Sequence, residues 1–316
     1  MKTFLTAAAL AASLGGATAA QAEIIGVSMA SVGDTFLTVL KDRIESQAEE
    51  IGGIELRSVE TNNDGDTQLA QLKAFINSNV DAVVFHVVDE DIGKTLSDMA
   101  ADADLPIIFV NRPPKNVDSM PAKQSFVASA EHDAGRLQAE EICAVLKETG
   151  KQDGATALLL RGPDDHAGAV GRSEAVKTVL ATDECDFIKI VAEDVADWDR
   201  AKAQEFVAAQ IESGVSVDAV FANNDSMALG AIDALKAAGV SMDEVLVGGV
   251  DATQGALMSM SAGDMDVTVF QNAAGQGENA LLNALDLAAG KAVPSLTFVP
   301  FELVTLDNMG MYFGAN

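Results

Sequence analysis

The chain has 316 residues, room for one large or two medium domains at roughly 100–200 residues each. Hydrophobic residues make up 48% of it, which excludes a disordered chain. Lys plus Arg number 20 against 48 Asp plus Glu, and the resulting charge of −28 excludes nucleic acid as a partner and argues against docking on anionic lipid.

The first 22 residues read as a signal peptide. Lys2 carries the positive charge, and residues 4–15 form an apolar run. That run is shorter than the roughly 20 residues a bilayer span needs. Ala20-Gln21-Ala22 then sets small residues where a signal peptidase reads them. Cleavage after Ala22 is expected, and in a Gram-negative cell this places the mature protein in the periplasm.

Short runs rich in Val, Ile and Phe follow at 24–29, 54–59, 82–88, 106–110, 125–128, 157–160, 187–191, 219–222, 245–250 and 267–270. Helical periodicity fills the gaps. Over 36–51, Phe36, Leu37, Leu40, Ile44 and Ala48 form one stripe, and Leu69, Leu72 and Ile76 repeat it over 67–76. Strands alternating with helices predict a parallel sheet with right-handed crossovers, hence a doubly wound α/β fold. The string VDAVVFHVVDE at 80–90 returns as VDAVFANNDS at 217–226. Each copy precedes a helix and then a strand ending in a polar residue, LPIIFVNR at Arg112 and VLVGGVD at Asp251. Two similar lobes around a cleft explain the repetition, and with no Pro/Gly/Ser-rich tether between them they should move as hinged bodies.

Motifs of catalysis are missing. No strand leads into G-x-G-x-x-G, and G-x-x-x-x-G-K-[ST], G-x-S-x-G and H-E-x-x-H are all absent. Three histidines, His86, His132 and His166, supply a metal site poorly, and Cys143 and Cys185 are too few for a thiolate zinc site. Asp164-Asp165-His166 reads as a solvated turn with Asp at a helix N-cap rather than as a metal site. The chain is therefore expected to be no enzyme, and to carry no cofactor and no metal. Export permits one disulfide between the two cysteines, but sequence does not give their separation, so bonded and free thiols both stay open.

In a doubly wound sheet the ligand lies beyond the carboxyl ends of the strands. Those ends carry Asp34, Phe36, His86, Asn111, Arg112, His166, Arg172, Trp198, Asn224, Asp251 and Gln271. Planar side chains with two hydrogen-bonding atoms suit vicinal hydroxyls, which donate and accept together. Phe36 and Trp198 offer flat faces for the C–H side of a sugar or cyclitol ring. Trp198 is the single tryptophan and sits in a polar loop, where a core tryptophan would have apolar neighbours.

At these residues the chain resembles the ribose- and galactose-binding group of periplasmic solute-binding proteins that serve ABC importers. ADWDRAKA around Trp198, FANNDSMALGAIDAL around Asn224 and VGGVDAT around Asp251 are similar to the group's cleft motifs. Asp34-Thr35-Phe36 resembles the galactose-binding first loop, Arg172 in GRSEA falls at a ligand-gripping arginine, and Asn111-Arg112 falls at the Asp-Arg pair of ribose binders. His86 departs from the usual Asn, and KETGKQDGA lacks the calcium-loop spacing of the galactose branch. VNRPP is similar to the inositol and rhizopine binders of the group.

The resemblance implies a type I periplasmic binding protein fold, with lobes of 24–129 plus 272–302 and 130–271 plus 303–316 joined by a three-strand hinge. It implies capture of a monosaccharide or cyclitol, myo-inositol-like first, by cleft closure, and delivery to an ABC permease, with the chain a monomer. A ribose- or galactose-type protein serving a chemoreceptor is the alternative, as is a carbohydrate-active enzyme. Repressors share these lobes but carry a DNA-binding headpiece and basic surface, which this acidic chain lacks.

Overall fold

The computed structural model describes residues 22–31 and 33–316. The expected signal peptide, up to Gln21, lies outside the described residues.

Two six-stranded sheets form the molecule. The first holds β1 (Glu23–Met29), β2 (Ile54–Glu60), β3 (Ala82–Phe85), β4 (Ile107–Val110), β5 (Gln124–Ala128) and β11 (Leu296–Phe298), in the order β2-β1-β3-β4-β5-β11. The second holds β6 (Ala155–Arg161), β7 (Ile188–Val195), β8 (Ala219–Ala222), β9 (Leu246–Gly248), β10 (Val267–Phe270) and β12 (Glu302–Thr305), in the order β7-β6-β8-β9-β10-β12. The same winding therefore occurs twice, in register with the repeated sequence strings.

Each sheet is covered on both faces, which is why its strands read as continuous apolar runs. Phe85, Phe109 and Phe221 are wholly buried within them. On α1 (Thr35–Ile51) the buried residues are the expected stripe from Phe36 to Ala48. It packs beside α9 (Ala273–Ala288), while α4 (Glu131–Glu148) packs on α5 (Ala167–Leu180) in the second lobe. There Cys143 and Cys185 are disulfide-bonded, with Cα atoms 5.8 Å apart.

The chain passes between lobes three times: from β5 into α4, from β10 into α9, and from β11 into β12. The strands at 82–88 and 245–250 are shorter than expected, because residues beyond Phe85 and Gly248 leave the sheets to build the cleft loops. The second sheet is also not purely parallel, since β12 runs antiparallel to β10. The last crossing delivers the chain at the cleft edge, so β12 runs away from the cleft while its neighbours run toward it. Glu302 already pairs with Phe270, one residue before the expected switch at 303.

Candidate functional site

A cavity of about 440 Å³ lies between the carboxyl ends of the two sheets. All eleven residues expected from the sequence line it, and Asn63, Glu131, Asp197 and Asp199 join them. The volume falls within the range of small-molecule sites.

Several lining residues are helix N-caps, which explains how each is aimed. Asp34 caps α1, its Oδ1 accepting from the Leu37 N–H at 2.9 Å. Asn224 caps α7 (Asp225–Ala237) through Oδ1, at 3.0 Å from the Met227 N–H. The N-cap of α5 is His166 rather than an aspartate, its Nδ1 accepting from the Gly168 N–H at 3.1 Å. The preceding turn is spent elsewhere, with Asp164 on Arg161 and Asp165 facing Arg112. A cap holds one side-chain atom and fixes the rotamer, leaving the other polar atom for a solute. With Nδ1 an acceptor, neutral His166 carries its proton on Nε2. Burial, followed by the charge of Arg112, holds its pKa well below the usual value.

Arg172 organises the second lobe's side. Its Nε donates to Glu131 at 2.7 Å, one terminal nitrogen to the Asn223 carbonyl at 2.7 Å and the other to Gln271 Oε1 at 3.1 Å. Asp251 lies 3.7 Å from it. Its guanidinium sits 5.7 Å from the Trp198 ring and 5.6 Å from Phe301. Burial opposes the charge, but Glu131 and Asp251 more than offset it, and the pKa is raised. Trp198 meets His166 edge-on at 5.2 Å.

On the first lobe's side, Arg112 donates to the Val88 carbonyl and, across the cleft, to the Asp165 carbonyl at 3.2 Å. His86 is buried beside it, and burial together with the Arg112 charge pushes its pKa down to about 3. Both histidines are neutral. His86 Nδ1, Arg112 Nε and Gln271 Nε2 are buried with no partner in the protein. All three side chains line the cavity.

Positive φ recurs at and beside the lining, and also away from it at Asn62, Asn79, Asp104 and Lys123. Asn111, Asp197, Trp198, Asp251 and Ala252 all have positive φ, at 65°, 50°, 63°, 118° and 53°. Each such residue costs on the order of 1–3 kcal/mol and clusters of them mark binding sites.

Glu131 opens α4 three residues beyond the end of β5, within reach of the strand-end rule, but belongs to no motif in the sequence. Asn223, which accepts from Gly162 and Ser173, is buried support that only the fold reveals. Among the described residues, no group of three or more His, Cys, Asp or Glu could hold a metal ion. No helix among them is long and apolar enough to cross a membrane.

The family described as "Periplasmic binding protein domain" matches residues 25–292. The chain belongs to the periplasmic binding protein family. This binding protein is 44% identical to a putative rhizopine-binding protein of Rhizobium meliloti, over 100% of both chains. It is 27% identical to a ribose import binding protein of Bacillus subtilis, over 89% of this chain and 87% of that one. Its fold matches an ABC transporter solute binding protein from Bacillus halodurans with bound myo-inositol at a TM-score of 0.85. That pair is 35% identical, over 93% of this chain and 98% of the other. These relatives are binding proteins and not enzymes.

Proposed function

We propose that the protein captures a neutral cyclitol, myo-inositol first, in the cleft and delivers it to an ABC permease. The observation that carries this is the charge state of the cavity. Arg172 faces Glu131 and Asp251, Arg112 lies 3.9 Å from the Asp165 carboxylate while donating to two carbonyls, and both lining histidines are neutral. Such a wall offers no unmatched positive charge to a carboxylate or phosphate, but many directional groups for hydroxyls. The rhizopine-binding relative and the myo-inositol complex support the cyclitol over the aldose.

In this reading the eleven lining residues from Asp34 to Gln271 contact the solute, with Trp198 and Phe36 against its C–H faces. Lobes of 24–129 plus 272–302 and 130–271 plus 303–316 close as rigid bodies, and cleavage after Ala22 releases the protein into the periplasm. A membrane permease then reads the closed form through carboxylates on both rims, and the protein works as a monomer.

Emission from the single Trp198 tests the solute class. A saturable change is expected with myo-inositol, a weaker one with D-ribose or D-galactose, and none with D-glucuronate. A response to glucuronate without one to myo-inositol would replace this reading with an anion-binding site.

A further inference from the structure

The peptide joining Asp251 to Ala252 has a positive φ on both sides, a geometry that persists only where neighbouring groups hold it. It is gripped at both ends. The Ala252 N–H donates to Thr268 Oγ1 at 3.2 Å, and that hydroxyl donates to the buried Asp225 at 2.7 Å. The Asp251 carbonyl accepts from Asn316 Nδ2 at 2.7 Å. The same nitrogen donates to the Gln271 carbonyl at 2.8 Å, and Asn316 Oδ1 accepts from the Ala273 N–H at 3.2 Å.

One side-chain amide thus joins three points: the loop bearing Asp251, the strand end bearing Gln271, and the first residue of α9, where the chain enters the other lobe. Asn316 does not itself line the cavity. It is held in turn from both lobes. Its carbonyl accepts from Gln254 at 3.2 Å, and Arg43 of α1 donates to the carbonyls of Gly314 and Ala315 at 2.9 and 3.1 Å.

We infer that Asn316 is a positioning residue of the solute site, holding Asp251 and Gln271 in register with the hinge end of α9. This rests on the reading that Asp251 and Gln271 contact the solute. The task needs two donors on one atom and an acceptor on the other, which an amide supplies. A carboxylate in its place would face two carbonyls with no proton to give.

Calorimetric titration with myo-inositol of Asn316→Ala, Asn316→Asp, Asp251→Asn and the double variant Asp251→Asn/Asn316→Ala tests the inference. Asn316→Ala should weaken binding about 10-fold and Asn316→Asp more, while on the Asp251→Asn background Asn316→Ala should cost no more than about 3-fold, the mark of two coupled sites. A wild-type affinity in Asn316→Ala, or the same loss in both backgrounds, overturns it.

Amide hydrogen exchange on the ligand-free protein gives a readout that needs no solute. Asn316→Ala should speed exchange at Ala252 and Ala273 and leave Val247 unchanged. Should the wild type give no heat with myo-inositol, the cyclitol reading falls and exchange decides: faster exchange at both amides upholds the clamp, and unchanged protection overturns it.

Discussion

Arg172 stands between two carboxylates, so its removal would strand Glu131 and Asp251 inside the fold. Arg172→Ala should destabilise the protein by about 3–5 kcal/mol and weaken solute binding, read by thermal unfolding and calorimetry. Arg172→Lys should recover little of either, because an ammonium cannot present the same planar fork to three acceptors. Gly162 matters through the space it leaves: a Cβ there would come within 2.3 Å of the Trp198 ring. Gly162→Ala should therefore displace the ring and lower affinity by roughly tenfold, about what loss of one aromatic contact costs. The sign of the pH dependence follows from His86. Folded, it stays neutral down to about 3, whereas unfolded it takes a proton below about 6.5. The unfolded state then binds more protons at this site between these values, so the His86 contribution to stability falls as pH falls, by on the order of 1 kcal/mol per pH unit. Burial raises Asp225 to about 7 and Asp266 to about 6, and these act oppositely. Their contribution is full below the ordinary carboxyl pKa and is lost as pH rises through the folded values. His86→Asn cannot take the charge, so its denaturation midpoint at pH 4.5, relative to its midpoint at pH 7, should lie higher than that of the wild type. An unchanged gap would mean that His86 is protonated in place.

The helices that carry the site are packed backbone to backbone. Gly135 of α4 faces the Arg172 carbonyl of α5 so closely that a Cβ would sit 2.1 Å from it. Gly230 of α7 meets the carbonyl of Arg200 at the same 2.1 Å, the corresponding contact between α7 and α6 (Arg200–Glu212). Gly135→Ala should push α5 away, cost about 1–3 kcal/mol in thermal unfolding and shift Arg172 and His166 together. Most elements were legible because buried parallel strands and one-faced helices leave strong local patterns. LTF in β11 and ELVT in β12 were not, being three and four residues long with half their side chains toward solvent. The sequence favours an aspartate as the cap of α5 because Asp is the better cap in isolation, whereas His166 takes the place and Asp164 and Asp165 stay exposed beside Arg161 and Arg112. Strand ends found the aromatic and polar residues of the cavity. Asn316 escaped, since its partners Asp251 and Gln271 lie 65 and 45 residues away.

At the scale of the whole molecule, the twofold winding sets the carboxyl ends of both sheets against one cavity, and the chain crosses between the lobes three times. Arg112 reaches across to Asp165, so the two lobes are bridged over the cavity. In the proposed capture by closure, affinity contains the hinge equilibrium as well as the contacts. Calorimetric titration of myo-inositol into the protein, unfolded and refolded to strip any carried ligand, tests this account most directly. It predicts one-to-one heat that weakens in Trp198→Ala and in Arg172→Ala. Absence of heat from refolded protein with native circular dichroism would contradict it.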